Sequence, residues 1–282
     1  MHIVVCIKQV PDSSQIRVHP VTNTIMRQGV PAIINPYDLL ALEEALRLKD
    51  SIEGTTVTVL TMGPPQAEDA LRKALSFGAN HAILVTDRAF AGADTLATSY
   101  AIAAAIRQIE KKEPVDLVFA GKQTIDGDTA QVGPGVAKRL NLNLLTYVSK
   151  IASLDLDKRE IIVHRRAEGG VQVIQTQLPC LITMLEGSNE MRFASMDNMF
   201  RAARHPLQIW NKDAAGIEDP AKIGLKGSPT VVSKVFAPHA KAIKAEQIDV
   251  ERKTSKEIAT AMLSKLFREH PKLHSEIAKR AG

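Results

Sequence analysis

The sequence predicts an α/β fold, a doubly wound and mostly parallel sheet. It adds an antiparallel hairpin extension and an extended C-terminal arm ending in a helix. Three observations carry this. Runs apolar throughout alternate with amphipathic runs over the first 145 residues. Beyond about 147 the pattern changes to short β runs separated by turn residues. From 187 to 250 long periodic segments give way to Pro206, Pro220, Pro229 and Pro238. Strands apolar on both faces, each followed by a helix, belong in a parallel sheet covered on both sides, and right-handed crossovers make it doubly wound.

The first strand is HIVVCIKQV (2–10), and PYDLLALEEALRLKD (36–50) is a helix with Leu39, Leu42, Ala45 and Leu46 on one side. TTVTVLTMG (55–63) is the second strand, followed by a helix over 65–79 with Gly78 as its C-cap. HAILVT (81–86), a helix over 94–112, VDLVFAG (115–121) and a helix over 128–141 complete the alternation. Residues 147–184 hold three β runs separated by DLDKRE and AEGG, read as antiparallel hairpins. A structureless stretch as long as 187–250 is improbable inside a compact domain, so this arm is expected to lie on another chain. The last segment, from about 253, is a helix with Ile258, Met262, Leu263 and Leu266 as its stripe, broken or kinked at Pro271. The expected division is a nucleotide-binding domain over 1–205 and an arm and helix over 206–282 that wrap a partner subunit.

Composition narrows the function. The net charge of +5 is mild and aromatic residues are only 4%, which disfavours a nucleic-acid surface. No apolar run reaches the ~18 residues of a membrane span. The N-terminus lacks the pattern of a secretory or transit peptide, so a cytoplasmic location is expected. Cys6 and Cys180 sit in apolar runs and read as buried free thiols. His270 and His274 are separated by Pro271, which spoils the helical face a zinc pair needs.

Ligands of such sheets bind beyond the carboxyl ends of the strands. The loops there are KQVPDS (8–13), TMGPPQ (61–66) and GKQTIDGDTAQ (121–131). The third packs Gly121, Lys122, Gln123, Thr124, Ile125, Asp126, Gly127, Asp128, Thr129, Ala130 and Gln131 between a strand and a helix. A helix start offers unpaired N–H groups and a partial positive charge, which suit a phosphate. Asp128 or Thr129 is the expected N-cap. Gly127 and Gly133 allow close backbone approach or positive φ. Asp126 would repel a phosphate, so its expected partner is a ribose hydroxyl or a backbone amide. The turn is neither a Walker A loop nor a GxGxxG fingerprint, and a well-capped helix needing no ligand stays open. INPYD (34–38) is either a Pro-started, Asn-capped helix entrance or part of the site. Lys8 is either a site residue or a solvated lysine. No nucleophile elbow or activated cysteine is present, so any chemistry belongs to a bound cofactor.

GKQTIDGDTAQVGP and VHRRAEGGVQVIQTQLPCLIT (163–183) resemble the β-subunit of an electron-transfer flavoprotein. Arg165, the turn Glu168-Gly169-Gly170, Gln172 and Pro179 match the second signature. The resemblance runs from the first strand to about residue 205. It implies a heterodimer with an α-subunit and a nucleotide contacted by Cys6, Lys8, Asn35, Pro36, Tyr37, Asp38, Met62, Gly63 and the loop from Gly121 to Val132. The form DGDTAQVGPGVAKRL is similar to the electron-bifurcating, nitrogen-fixation-associated branch. That implies FAD in this chain, NADH as donor, ferredoxin or flavodoxin as one acceptor and, through the α-subunit FAD, a quinone oxidoreductase as the other. Oxidoreductase activity is then expected only in the complex. The ordinary branch implies structural AMP and docking to acyl-CoA-type dehydrogenases. In the docking stretch FASMDNMFRAARH, Met196 stands where that branch has leucine, and Arg201 and Arg204 where it has lysines. An ATP-hydrolysing or adenylating enzyme is the remaining alternative, but KQVPDS is not the Ser-Gly-Gly-type loop such enzymes carry.

Overall fold

The computed structural model describes residues 1–12, 17–18, 25–26, 31–230, 248, 250–251, 253–273, 277 and 279. The chain divides into two compact units, residues 1–236 and 237–282. In the first, a nine-stranded sheet contains β1 (His2–Cys6), β6 (Thr56–Met62), β7 (His81–Val85), β8 (Leu117–Gly121), β9 (Asn143–Asp155), β10 (Glu160–Ala167), β11 (Gly170–Gln177), β12 (Cys180–Met184) and β13 (Gln208–Trp210). Their order is β11-β10-β9-β12-β8-β1-β6-β7-β13. Two short antiparallel pairs stand apart, β2 (Gln9–Pro11) with β5 (Ala32–Ile34) and β3 (Arg17–Val18) with β4 (Ile25–Met26).

β1 sits centrally, parallel to β6 on one side and to β8 on the other. From it the chain winds outward through β6 and β7, then returns to β8 and winds the other way. The crevice at the carboxyl ends of β1 and β8 is therefore the topological switch point, where such sheets bind ligands.

Alternate residues of each strand feed two cores. Ile3, Val5, Val57 and Val59 pack with α1 (Pro36–Ser51) and α2 (Glu68–Phe77) through Leu42, Leu46, Leu71 and Leu75. Val4, Leu60 and Val118 pack with α3 (Thr95–Glu110) and α4 (Val132–Leu140) through Ala105, Ile106, Val136 and Ala137. Both faces are apolar because both are covered, which is why the strands show no polar alternation. Gly78 caps α2 at φ 127°, as expected.

Four expectations need correction. The first strand stops at Cys6, and Gln9–Pro11 forms a separate pair. The third β run after 147 is two strands, because Pro179 has no N–H with which to continue a ladder. β12 beyond it returns parallel, between β8 and β9. The helix expected over 128–141 begins only at Val132, because Asp128 and Ala130 take left-handed φ of 51° and 53°. Finally, residues 187–230 do not lie wholly on another chain. Within them α5 (Met196–Arg204) covers α2, β13 pairs in parallel with β7, and Ala202, Ala215 and Ile223 are buried. The first compact unit consequently extends to residue 236. Residues 231–247 lie outside the described residues, as does His274.

In the second unit α6 (Ser255–Glu269) opens on a capping box between Thr254 and Glu257, and it ends before Pro271. Met262, Leu263 and Leu266 on it are exposed.

One glycine fixes how closely α1 approaches the sheet. A Cβ at Gly121 would lie 2.5 Å from Asp38 Oδ1 and 2.6 Å from the Tyr37 backbone carbonyl carbon. Gly121→Ala must push the first turn of α1 off β8, at a cost of about 1–3 kcal/mol. A melting curve should show a Tm several degrees lower. An unchanged Tm would mean that the helix entrance moves freely.

Candidate functional site

The site is built where three backbone segments meet under one carboxylate. Asp38, in the first turn of α1, is 5% exposed. Its Oδ2 accepts the Lys8 N–H at 2.7 Å, just past β1, and its Oδ1 accepts the Gly121 N–H at 3.0 Å, the last residue of β8. Burial pushes this carboxyl up to about 7, against the pull of Asn35, the two backbone donors and the Lys8 charge.

Asn35 is fully buried and makes no side-chain cap bond to α1. Instead its Nδ2 donates to the Gln123 carbonyl at 2.8 Å and its Oδ1 accepts the Ile125 N–H at 3.2 Å. The Asn-capped helix entrance is thus corrected: this side chain replaces a strand partner for the loop after β8. Pro36 begins the helix, where a missing N–H costs nothing. Tyr37 lies under the Lys122 ammonium, 4.9 Å from the ring centroid, and Lys122 also pairs with Glu186 at 3.1 Å.

Thr124 O accepts the N–H groups of Gly127 and Asp128, closing the turn. Asp128 Oδ1 accepts from Gln123 Nε2 at 2.8 Å. Neither Asp128 nor Thr129 caps the helix; Gln131 holds that position, without a side-chain cap bond. Its Oε1 accepts from Thr95 Oγ1 at 2.8 Å. Among the described residues the N–H groups of Thr129, Ala130, Gln131 and Val132 have no hydrogen-bond partner. Successive free amides at a helix start are the kind of donor set that can bind an anion. Gly133 approaches the sheet, where a Cβ would meet Thr183 at 2.9 Å, and Gly127 has no positive φ. The left-handed residues here are Asp128 and Ala130, a strain of the kind that gathers at ligand sites.

Asp126 accepts from its own backbone N–H, one of the two expected kinds of partner, and also from the Thr124 hydroxyl and from a cation. Both of its oxygens accept from Lys8 Nζ at 2.8 Å. Burial opposes its charge, but the Lys8 ammonium, the Thr124 hydroxyl and its own N–H together hold the carboxyl below its usual range. Cys6 ends β1, half-buried rather than buried, with its thiol pushed up to about 12 by burial and by Asp38. Met62 and Gly63 end β6 at the same edge, where Gly63 N–H donates to Val85 O. Sequence reading missed Thr95 and Glu186. Glu186 stands just past β12, so the rule that pointed to the other loops applied to it, whereas Thr95 opens α3 well beyond the end of β7.

Residues 22–215 match the family described as electron transfer flavoprotein domain. The chain belongs to the electron transfer flavoprotein family. It is 70% identical to "Protein FixA" of Azotobacter vinelandii over 100% of both chains. It is 47% identical to "Caffeyl-CoA reductase-Etf complex subunit CarD" of Acetobacterium woodii, covering 96% of this chain and 99% of that one. The same identity and coverage hold for "Electron transfer flavoprotein subunit beta" of Clostridium acetobutylicum. This electron transfer flavoprotein is therefore a β-type subunit of the FixA kind, and its expected partner is an α-type subunit. No helix among the described residues is long and apolar enough to cross a membrane.

The stretch FASMDNMFRAARH, expected to dock partners, contains α5. Met196, Met199 and Phe200 share an exposed face, and Phe193 before it is 98% exposed. Arg204 is exposed, but Arg201 is committed to its own chain: its Nη2 donates to the Leu75 and Ala79 carbonyls at 3.1 Å, at the C-terminal end of α2. Arg72 of α2 in turn donates to the Ala202 carbonyl of α5 at 2.9 Å. The two helices cap each other, so Arg201 is a brace and not a free contact.

Asp38 gives the site a pH dependence. Its folded value lies above that of an unfolded aspartate, so the folded protein binds more protons between about pH 4 and 7. The stabilisation it supplies is complete below that window and falls as pH rises through it. Asp38→Asn should lower stability by about 1–3 kcal/mol, since one backbone donor then faces an amide NH2. The Tm gap between wild type and variant, measured by calorimetry from pH 5 to 8, should narrow as pH rises. A gap independent of pH would contradict this account.

Proposed function

We propose that this chain is the FAD-holding β-subunit of an electron-bifurcating electron transfer flavoprotein, acting with an α-subunit that carries its own FAD. The observation that carries this reading is the row of free amides from Thr129 to Val132, in the loop that follows β8 at the switch point. Such a receptor suits the phosphates of a nucleotide, and the donor set is main-chain, so it accepts a phosphate ester or a pyrophosphate alike. Identity of 70% to a FixA protein, and a relative that is a subunit of a caffeyl-CoA reductase-Etf complex, favour the bifurcating branch.

Lys8, Asn35, Tyr37, Asp38 and the loop from Gly121 to Val132 would hold the nucleotide, with Cys6, Met62 and Gly63 at the same edge. The flavin supplies hydride acceptance and one-electron transfer. This chain's residues bind and orient it. Asp38 and Asn35 fix the receptor loop, α4 and β12 back it, and no side chain acts as acid or base. NADH is the proposed donor, with ferredoxin or flavodoxin and a quinone oxidoreductase as the proposed acceptors. The exposed face of Met196, together with Arg204, is the proposed contact for an electron-transfer partner. The second unit, with the exposed stripe of α6, is proposed to wrap the α-subunit.

Nucleotides released by acid from the purified heterodimer decide the matter. Two FAD per heterodimer is the expected result. One FAD with one AMP would assign the chain to the ordinary branch, with AMP as a structural ligand.

A further inference from the structure

We infer that Asp126 sets the nucleotide affinity of this site: its carboxylate occupies the Lys8 ammonium in place of a ligand phosphate, and a phosphate-bearing ligand must displace it. This rests on the reading of the site as a nucleotide receptor. Three features of the molecule support the exchange.

The ion pair is complete yet easily broken. Both Asp126 oxygens lie 2.8 Å from Lys8 Nζ, but the two side chains are 46% and 28% exposed. Ion pairs this open contribute little to stability. The loop does not need the pair, because Asn35 holds it at Gln123 and Ile125, and Asp38 holds it at Gly121.

The charge balance requires the exchange. From Gly121 to Val132 the charged side chains are Lys122, Asp126 and Asp128. Lys122 is engaged by Glu186, and Asp128 accepts from Gln123. Within this loop a phosphate on the free amides would find two carboxylates and no uncommitted cation, and the cation already facing the loop is Lys8. Lys8 is rooted at the site by its backbone bond to Asp38, whichever anion its ammonium faces. The carboxylate and the phosphate are alternative anions for one cation, and the carboxylate left behind adds repulsion.

The alternative is that the pair is a latch that preshapes the loop, in which case removing it weakens binding. The full heterodimer, stripped of nucleotide, separates the two by calorimetric titration with AMP and with adenosine. Asp126→Asn is expected to tighten AMP about fivefold at low salt, to leave adenosine unchanged, and to lose the gain in high salt. Lys8→Met combined with Asp126→Asn is expected to abolish the gain. Asp126→Ser should repeat the effect if the amide variant misfolds. Unchanged or weaker AMP binding in both Asp126 variants, or equal tightening of adenosine, overturns the inference while leaving the nucleotide reading intact. A wild-type heterodimer that releases no nucleotide on denaturation and binds neither AMP nor FAD overturns both.

Discussion

One buried carboxylate joins the pieces on which everything else depends. Asp38 receives an N–H from the end of β1 and another from the end of β8, across sequence separations of 30 and 83 residues. The register between β1 and β8 ends at Cys6 and Ala120, so the Lys8 and Gly121 N–H groups have no partner on each other's strand. The buried donors would otherwise go unpaired at a cost of about 1–3 kcal/mol each. Burying the carboxylate is itself unfavourable, and its raised affinity for a proton is the trace of that cost. The arrangement tolerates it because no apolar side chain could satisfy two strand ends at once. Gly121 follows from the same constraint, since the helix bearing Asp38 lies too close to β8 for a side chain.

Once the strand ends are fixed, the receptor follows. Asn35 ties the loop at Gln123 and Ile125, and the turn at Thr124 closes it. Two non-glycine residues then take left-handed conformations and delay the helix to Val132. An early helix start would direct its first amides along the helix axis over a shorter loop. The delayed start leaves four amides free in succession. A family whose redox chemistry belongs to its flavins asks its protein chain for such a receptor, held rigidly, and for surfaces on which partners can dock.

Much of this was legible in the sequence. Runs such as IVVC and LVFAG are apolar at every position, as a doubly covered parallel sheet requires, and that placed the loop after Gly121 at the carboxyl edge where such sheets bind ligands. The turn-rich character of 121–131 made it the candidate receptor, with a ligand-free turn left open. Asp38 was less legible. In INPYD it reads as a helix-entrance acid, and only tertiary structure brings β1 and β8 to it. The delayed start of α4 was hidden because Asp128 and Thr129 are good caps locally, while the left-handed residues that override them have no Gly signature. Arg201 looked like a surface cation, yet it closes the carbonyls of a helix 122 residues away from it at Ala79. The run 170–184 looked continuous, and Pro179 was the available sign of the break.

The account stands most directly on the free amides from Thr129 to Val132. Hydrogen–deuterium exchange of the heterodimer, followed over peptides from this loop, reads them individually against a nucleotide. Those four amides should exchange readily in the stripped protein and slow by an order of magnitude or more when nucleotide is restored, while Gly121 stays protected in both. If they exchanged at the same rate with and without nucleotide, the loop would not be the phosphate receptor, and the reading of the site would be wrong.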